Sequence, residues 1–346
     1  MKKKILLTID TEGPRGEDPI LYQIWGKVGD NYYGIPKIIE FCDQYKIKGL
    51  FFVDIPECHD YGYEKIKEVV VYILKKGHDV GVHIHPHHMF DQNRHFLWEY
   101  TYEEQYKIIN DCTDLYQKMT GKKPLCFRAG KYGANNDTLK ILSELGYKYD
   151  FSEFYSQKWC GIEPHFSYVL PVKHLDLVEV PVTVFKSLSL GKLYKRYDKL
   201  EITDNFREII HILKEYKKTK NNEIIVLFAH SFSFLNYLET PNAPTLNIGN
   251  IKNFDKVLKY IYQNRDYLSI GEKDLADIQI AEKDDPKNIV STKGIVRQIL
   301  YSFARFWRIR KTNKKAKIIT KITTITFISL FVLGLILCGG YFSGLL

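Results

Sequence analysis

The sequence predicts an α/β fold: a TIM-like, incomplete or distorted (β/α)7–8 barrel followed by a C-terminal transmembrane helix. Three observations carry this. Short apolar runs alternate with stretches of helical periodicity as far as residue 283, polar side chains fall where those runs end, and residues 322–346 hold no charged side chain.

Lys4 to Ile9 reads as a buried strand that delivers Asp10-Thr11-Glu12-Gly13-Pro14 to its C-terminal end. Its apolar run is too short for a secretory signal, which needs roughly 7–15 such residues. Pro36 opens a helix in which Ile38, Ile39, Phe41, Cys42 and Tyr45 recur at helical spacing, and Ile47 to Val53 is the next strand. Glu64 to Lys76 repeats the pattern, with Ile66, Val69, Val70, Ile73 and Leu74 on one face and Gly77 as the stop. A strand to His83 follows directly. Tyr102 to Met119 is a helix closed by Gly121, Pro124 to Arg128 a strand, Asp137 to Leu145 a helix closed by Gly146, and Tyr147 to Ser152 a strand. Beyond an irregular stretch, 153–175, come strands at Leu177 to Val182, Ile224 to Ala229 and Tyr267 to Ile270. Helices are expected at Asn205 to Tyr216, Asn253 to Gln263 and Lys273 to Glu282. Strand and helix in alternation imply parallel strands joined by crossover helices.

Charge excludes one class of function. The chain carries a net +9, but ten Lys and Arg and no Asp or Glu lie between residues 293 and 321, so the rest is close to neutral. The folded part is therefore no nucleic-acid binder. Six cysteines without a Cys-x-x-Cys pair suit a reducing compartment. The 25 Tyr and 20 Phe exceed what a core of this size needs, and surplus aromatics line clefts or stack on sugar rings.

Histidine is the most concentrated signal, with four of eleven between residues 83 and 88. His83 and His87 are spaced so that two imidazoles converge on one ion if the chain turns between them; His85 and His88 can form a second pair, so spacing alone does not fix the ligands. Asp10, Glu12, His83, Arg128, Asp150 and His230 each stand at the C-terminal end of an expected strand, the face on which barrels of this kind carry their chemistry. A carboxylate and two histidines on a divalent ion, a spare carboxylate as base and a separate histidine as acid make hydrolytic equipment.

These residues resemble the polysaccharide deacetylases of the NodB-homology type, carbohydrate esterase family 4-like enzymes, over roughly residues 3–275. The family's Thr-Phe-Asp-Asp-Gly motif is similar to Thr8-Ile9-Asp10-Thr11-Glu12-Gly13, its His-x3-His motif to His83 and His87, and its Arg motif to Arg128–Tyr132. Asp150 with Ser152, and Leu227 to His230, resemble two further motifs. The resemblance implies Asp10 as general base, Glu12, His83 and His87 as metal ligands, and His230 as general acid. It implies further that the Tyr132 backbone N–H binds the oxyanion, that Arg128 orients Asp10, and that Asp150 supports the base or tunes the histidine. The implied cofactor is one divalent ion, Zn2+ first, with Co2+, Mn2+, Ni2+ or Fe2+ as alternatives. The implied reaction is metal-dependent removal of acetyl groups, N-acetyl foremost, from a cell-surface polysaccharide or lipid-linked precursor. Glu for the usual ligand Asp, and Gly130 where many members carry Pro, are departures. A deacylase or amidase on a non-sugar substrate and a catalytically silent glycan-binding membrane scaffold are the competing expectations.

The organisation expected is a catalytic domain over 1–283, a basic linker over 284–321 with an interfacial amphipathic helix, and a transmembrane helix over 322–346. Lys and Arg ahead of that span predict a single-pass membrane protein with a cytoplasmic catalytic domain.

Overall fold

The computed structural model describes residues 2–14, 16–163, 170–191, 194–219, 223–281 and 289–312. In chain order its elements begin with β1 (Lys3–Thr11), the short hairpin β2 (Lys27–Val28) and β3 (Asn31–Tyr32), α1 (Ile35–Gln44), β4 (Gly49–Asp54), α2 (Glu57–Tyr61), α3 (Tyr63–Lys75) and β5 (Asp79–Ile84). Next come α4 (Tyr102–Thr120), β6 (Cys126–Ala129), α5 (Asn136–Leu145), β7 (Tyr149–Asp150), β8 (Val172–His174) and β9 (Leu177–Glu179). The hairpin β10 (Val184–Leu190) and β11 (Tyr194–Lys199), α6 (Phe206–Lys218), β12 (Ile224–His230), β13 (Leu235–Asn236), β14 (Thr245–Leu246), α7 (Ile248–Gln263), β15 (Tyr267–Ser269) and α8 (Ile295–Thr312) complete it.

Ile5, Leu6, Leu7 and Ile9 of β1 are all fully buried, as in a central strand covered on both faces. The main sheet runs β12-β1-β4-β5-β6-β7-β9-β8, with β15 pairing the first residues of β1. Its pairs are parallel except β8 with β9. The helices cover it with the apolar faces their spacing predicts: Ile38, Ile39 and Cys42 on α1, Ile66, Val69 and Val70 on α3, Ile108, Ile109 and Cys112 on α4. Thr101 caps α4 by accepting from the Glu104 N–H while the Glu104 carboxylate accepts from the Thr101 N–H. Gly121 and Gly146 end α4 and α5 in the left-handed conformation that a side chain disfavours.

Register decides where the chemistry falls. Asp10 lies opposite His230 on β12 and Phe52 on β4, and His83 lies opposite Asp54 on β4 and Arg128 on β6. The strand-end residues therefore form one row along the C-terminal edge of the sheet.

Two expectations need correction. The sheet is an open, curled half-barrel rather than a (β/α)7–8 ring, because β12 and β8 stand at the two ends of its strand order. Closure requires consistent strand length, tilt and shear. Here β7 and β9 shrink to two and three residues and the chain then leaves through the antiparallel β10–β11 hairpin instead of another strand–helix unit. The second correction concerns the membrane. The expected span over 322–346 lies outside the described residues, and among those described no helix is long and apolar enough to cross a membrane. α8 mixes Arg with apolar residues and docks on the domain: Arg305 is buried and pairs with Glu208 on α6 and with Asp198 on β11. The fold class with a transmembrane helix, and the single-pass membrane location with a cytoplasmic domain argued from it, fall together.

Candidate active site

The ends of β1, β4, β5, β6 and β12 open into one cleft of about 890 Å³, a volume in the range that holds a small ligand. Arg128 lies fully buried beneath it. Its Nη1 donates to Asp10 Oδ1 at 2.7 Å, its Nη2 to Thr8 Oγ1 at 3.1 Å and its Nε to the Phe151 carbonyl at 3.3 Å, while the guanidinium packs 4.3 Å from the Phe52 ring centroid. A buried cation is tolerated only with such partners. Burial alone would raise the Asp10 carboxyl, but Arg128, His83, His230 and Lys199 outweigh it and hold Asp10 below the ordinary carboxylate range. Asp10 is therefore ionised at neutral pH.

Glu12 meets the histidines. Its Oε2 lies 2.7 Å from His85 Nε2 and 3.7 Å from His83 Nε2, and its Oε1 lies 3.8 Å from His230 Nε2. His83 Nδ1 stands 2.8 Å from the Arg128 carbonyl. A carbonyl only accepts, so Nδ1 carries a proton, and Nε2 is the ring atom that faces the carboxylates, the orientation a metal ligand requires. One donor atom from each of Glu12, His83 and His85 lies within 4.8 Å of the other two. Burial works to raise Glu12, yet His85, His83 and His230 hold it well below its usual value. Burial pushes His85 down despite the nearby carboxylate, which keeps the ring neutral as a ligand must be. A carboxylate and two imidazoles fit a divalent first-row ion.

Gly130 explains why His85 can stand there. A Cβ at residue 130 would come within 2.6 Å of His85 Nδ1 and 2.7 Å of the Ile84 carbonyl, so only glycine leaves room for the ring. His87 lines the same cleft but stands apart from the trio, with its ring centroid 5.6 Å from that of His85 and 4.1 Å from that of His88. Burial, then His88, pushes His87 down to about 3.

His230 closes the row. Its ring is held between Phe228 and Phe232, at centroid distances of 4.7 and 4.6 Å, and burial followed by Lys199 lowers it below the usual imidazole value. Lys131 and Tyr132 both adopt positive φ, 52° and 60°, at the cleft wall. Such strain persists only where the surroundings enforce it, and it gathers at functional sites. Asp150 is not part of this wall: its Oδ1 accepts from Ser152 Oγ, which in turn accepts from the Ala129 N–H just ahead of the Lys131 turn.

Sequence reasoning missed Lys199, whose Nζ donates to Tyr132 Oη at 3.1 Å and lies over the Phe228 ring. Its strand, Tyr194–Lys199, has no apolar alternation that would mark it. Phe96, Gln157 and Trp159 reach the cleft from irregular segments and were equally unmarked. Asp54 and Glu57 also line it. Asp54 had a signal, because it ends an apolar strand as Asp10 does.

Asp150 and Glu179 are register partners on β7 and β9, both fully buried. Burial, then the neighbouring Asp150, raises Glu179 well above its ordinary value. The folded state therefore binds a proton that the unfolded chain releases near pH 4.3, and stability falls as pH rises from that value toward the raised one. Glu179→Gln keeps an oxygen to accept from the Glu153 N–H. Thermal unfolding should show a smaller loss of Tm between pH 5 and pH 8 in the variant than in the wild type; equal losses would remove the buried pair as the cause.

Residues 2–149 match a family model described as polysaccharide deacetylase. That stretch, under half of the chain, is similar to the polysaccharide deacetylase family. The peptidoglycan deacetylase-like protein FGM2 of Gibberella zeae is 38% identical over 50 residues, 14% of this chain and 15% of the relative's own length. Among solved structures, a Mycobacterium smegmatis protein assigned as a polysaccharide deacetylase aligns with a TM-score of 0.52 at 17% identity, over 80% of this chain and 89% of its own. Puue allantoinase aligns with a TM-score of 0.51 at 11% identity, over 79% and 89%. At these identities the two structures establish the fold alone, and that fold evidently serves more than one reaction.

Proposed function

We propose that this chain acts as a polysaccharide deacetylase, hydrolysing acetyl groups, N-acetyl foremost, from a glycan with the help of one divalent ion. The observation that carries the reading is the row itself: an ionised Asp10 clamped by Arg128, the Glu12, His83 and His85 donors converging beside it, and His230 across the same cleft.

Glu12, His83 and His85 would hold the ion. Bound there, it supplies a Lewis acid for the acyl carbonyl and a lowered pKa for water. Asp10 takes the proton of the attacking water, since it is ionised and its position is fixed by a buried guanidinium. The Tyr132 backbone N–H, on the strained turn at the cleft wall, is assigned to the developing oxyanion. His230 gives a proton to the leaving amine; its lowered pKa makes the protonated ring a stronger acid. Exposed Trp159 at the rim, whose backbone carbonyl accepts from Trp98 Nε1, supplies an aromatic face suited to a sugar ring.

The test is acetate release from N-acetylated oligosaccharides by the purified full chain, before chelation, after it, and after restoring Zn2+. Release that is lost and then recovered is the expected result. A folded, metal-replete chain that frees no acetate from N- or O-acetylated glycans would sink the proposal.

A further inference from the structure

The cleft contains a second cluster that the chemistry above leaves unused. Asp54 ends β4 and Glu57 opens α2 three residues later, and each commits one oxygen to the fold. Asp54 Oδ1 accepts from the His85 N–H at 3.0 Å, and Glu57 Oε1 accepts from the Gly13 N–H at 2.6 Å. The remaining oxygens, Asp54 Oδ2 and Glu57 Oε2, are buried without a hydrogen-bond partner among the described residues, on side chains 0% and 1% exposed. No Lys or Arg pairs with either carboxylate among the described residues. Two buried carboxylates without a cation are a cost that folds do not carry uncompensated.

The nearest basic group is His88. Its Nε2 lies 3.6 Å from Asp54 Oδ2, and its Nδ1 lies 2.5 Å from Asp60 Oδ2. A carboxylate on Nδ1 fixes the imidazole tautomer and leaves the Nε2 lone pair toward Asp54, the arrangement found behind metal-bound histidines. One donor atom from each of Asp54, Glu57 and His88 lies within 4.8 Å of the other two, a spacing that one ion bridges.

We propose that Asp54, Glu57 and His88 form a second divalent-cation site in this cleft, beside the Glu12 site, with Asp60 orienting His88. Two carboxylates and one imidazole select a first-row divalent ion of the Mn2+, Fe2+ or Zn2+ kind. The site stands on its own donors and does not depend on the deacetylase reading.

The experiment counts metal in the full chain, stripped with chelator, dialysed against Mn2+ or Zn2+ and measured by elemental analysis. Two ions per chain are expected in the wild type, one in Asp54→Asn, one in Glu57→Gln and one in Glu12→Gln. The amides keep an acceptor for the His85 and Gly13 N–H groups, and thermal unfolding without metal checks that each variant folds. Asp60→Asn should keep two ions at saturation but weaken one of them about 10–100-fold. One ion in the wild type, unchanged in Glu57→Gln, would show a shared proton in place of a metal and overturn the site; two ions surviving in the Asp54→Asn, Glu57→Gln double variant would also overturn it. A single ion that disappears with Glu57→Gln supports this site and counts against the Glu12 site instead.

Discussion

Asp10→Asn is expected to lower acetate release by about 10²–10⁴, the usual contribution of a positioned general base, while leaving the metal content unchanged. Asn is the same shape as Asp and its carbonyl can still accept from Arg128 Nη1, so the variant removes basicity while keeping that contact. It also removes a charge. Arg128 is fully buried, with Asp10 as its carboxylate partner, and breaking such a pair by neutralising one member typically costs about 3–5 kcal/mol. The variant should therefore unfold at a lower temperature than the wild type, and turnover is to be measured well below that transition. Parallel metal analysis separates the two roles open to the first motif. A variant that turns over normally would remove Asp10 from the chemistry; one that loses its ion would make Asp10 a ligand.

The second large effect concerns which imidazole completes the ligand set. His-x3-His spacing implies His83 with His87, whereas the side chains that converge on Glu12 are His83 and His85. Measured in a Glu57→Gln background, so that the Glu12 site alone is counted, His83→Ala and His85→Ala should each weaken metal binding by more than the 10–100-fold typical of an outer-shell partner. His87→Ala should retain the ion, since its ring lies toward His88 and His95. Ion lost from His87→Ala and kept by His85→Ala would return the role to His87. Gly130→Ala offers an independent check, because its methyl group would collide with the His85 ring. If His85 is the ligand, that single methyl should lower metal affinity as well.

Much of this site was legible from local pattern. Apolar runs marked the strands, and a polar residue at the end of a buried strand must lie at an edge of the sheet, so Asp10, His83, Arg128 and His230 could be placed on one edge without knowing strand order. Helix periods and the stops at Gly121 and Gly146 were equally local, depending on residues within a turn or two. What the amino-acid sequence by itself determined was therefore the α/β alternation, the edge that carries the chemistry, and the residue types available there. Tertiary structure alone decided three things. It decided that the sheet stays open, since closure depends on the lengths and tilts of strands far apart in the chain, and β7 and β9 are too short. It brought in Lys199 and the aromatic rim from segments without periodicity. And it decided that His85 faces Glu12: alternation along a strand gives residues 83 and 85 the same side, but whether the second ring fits depends on Gly130, which is 45 residues away in sequence and packs against it.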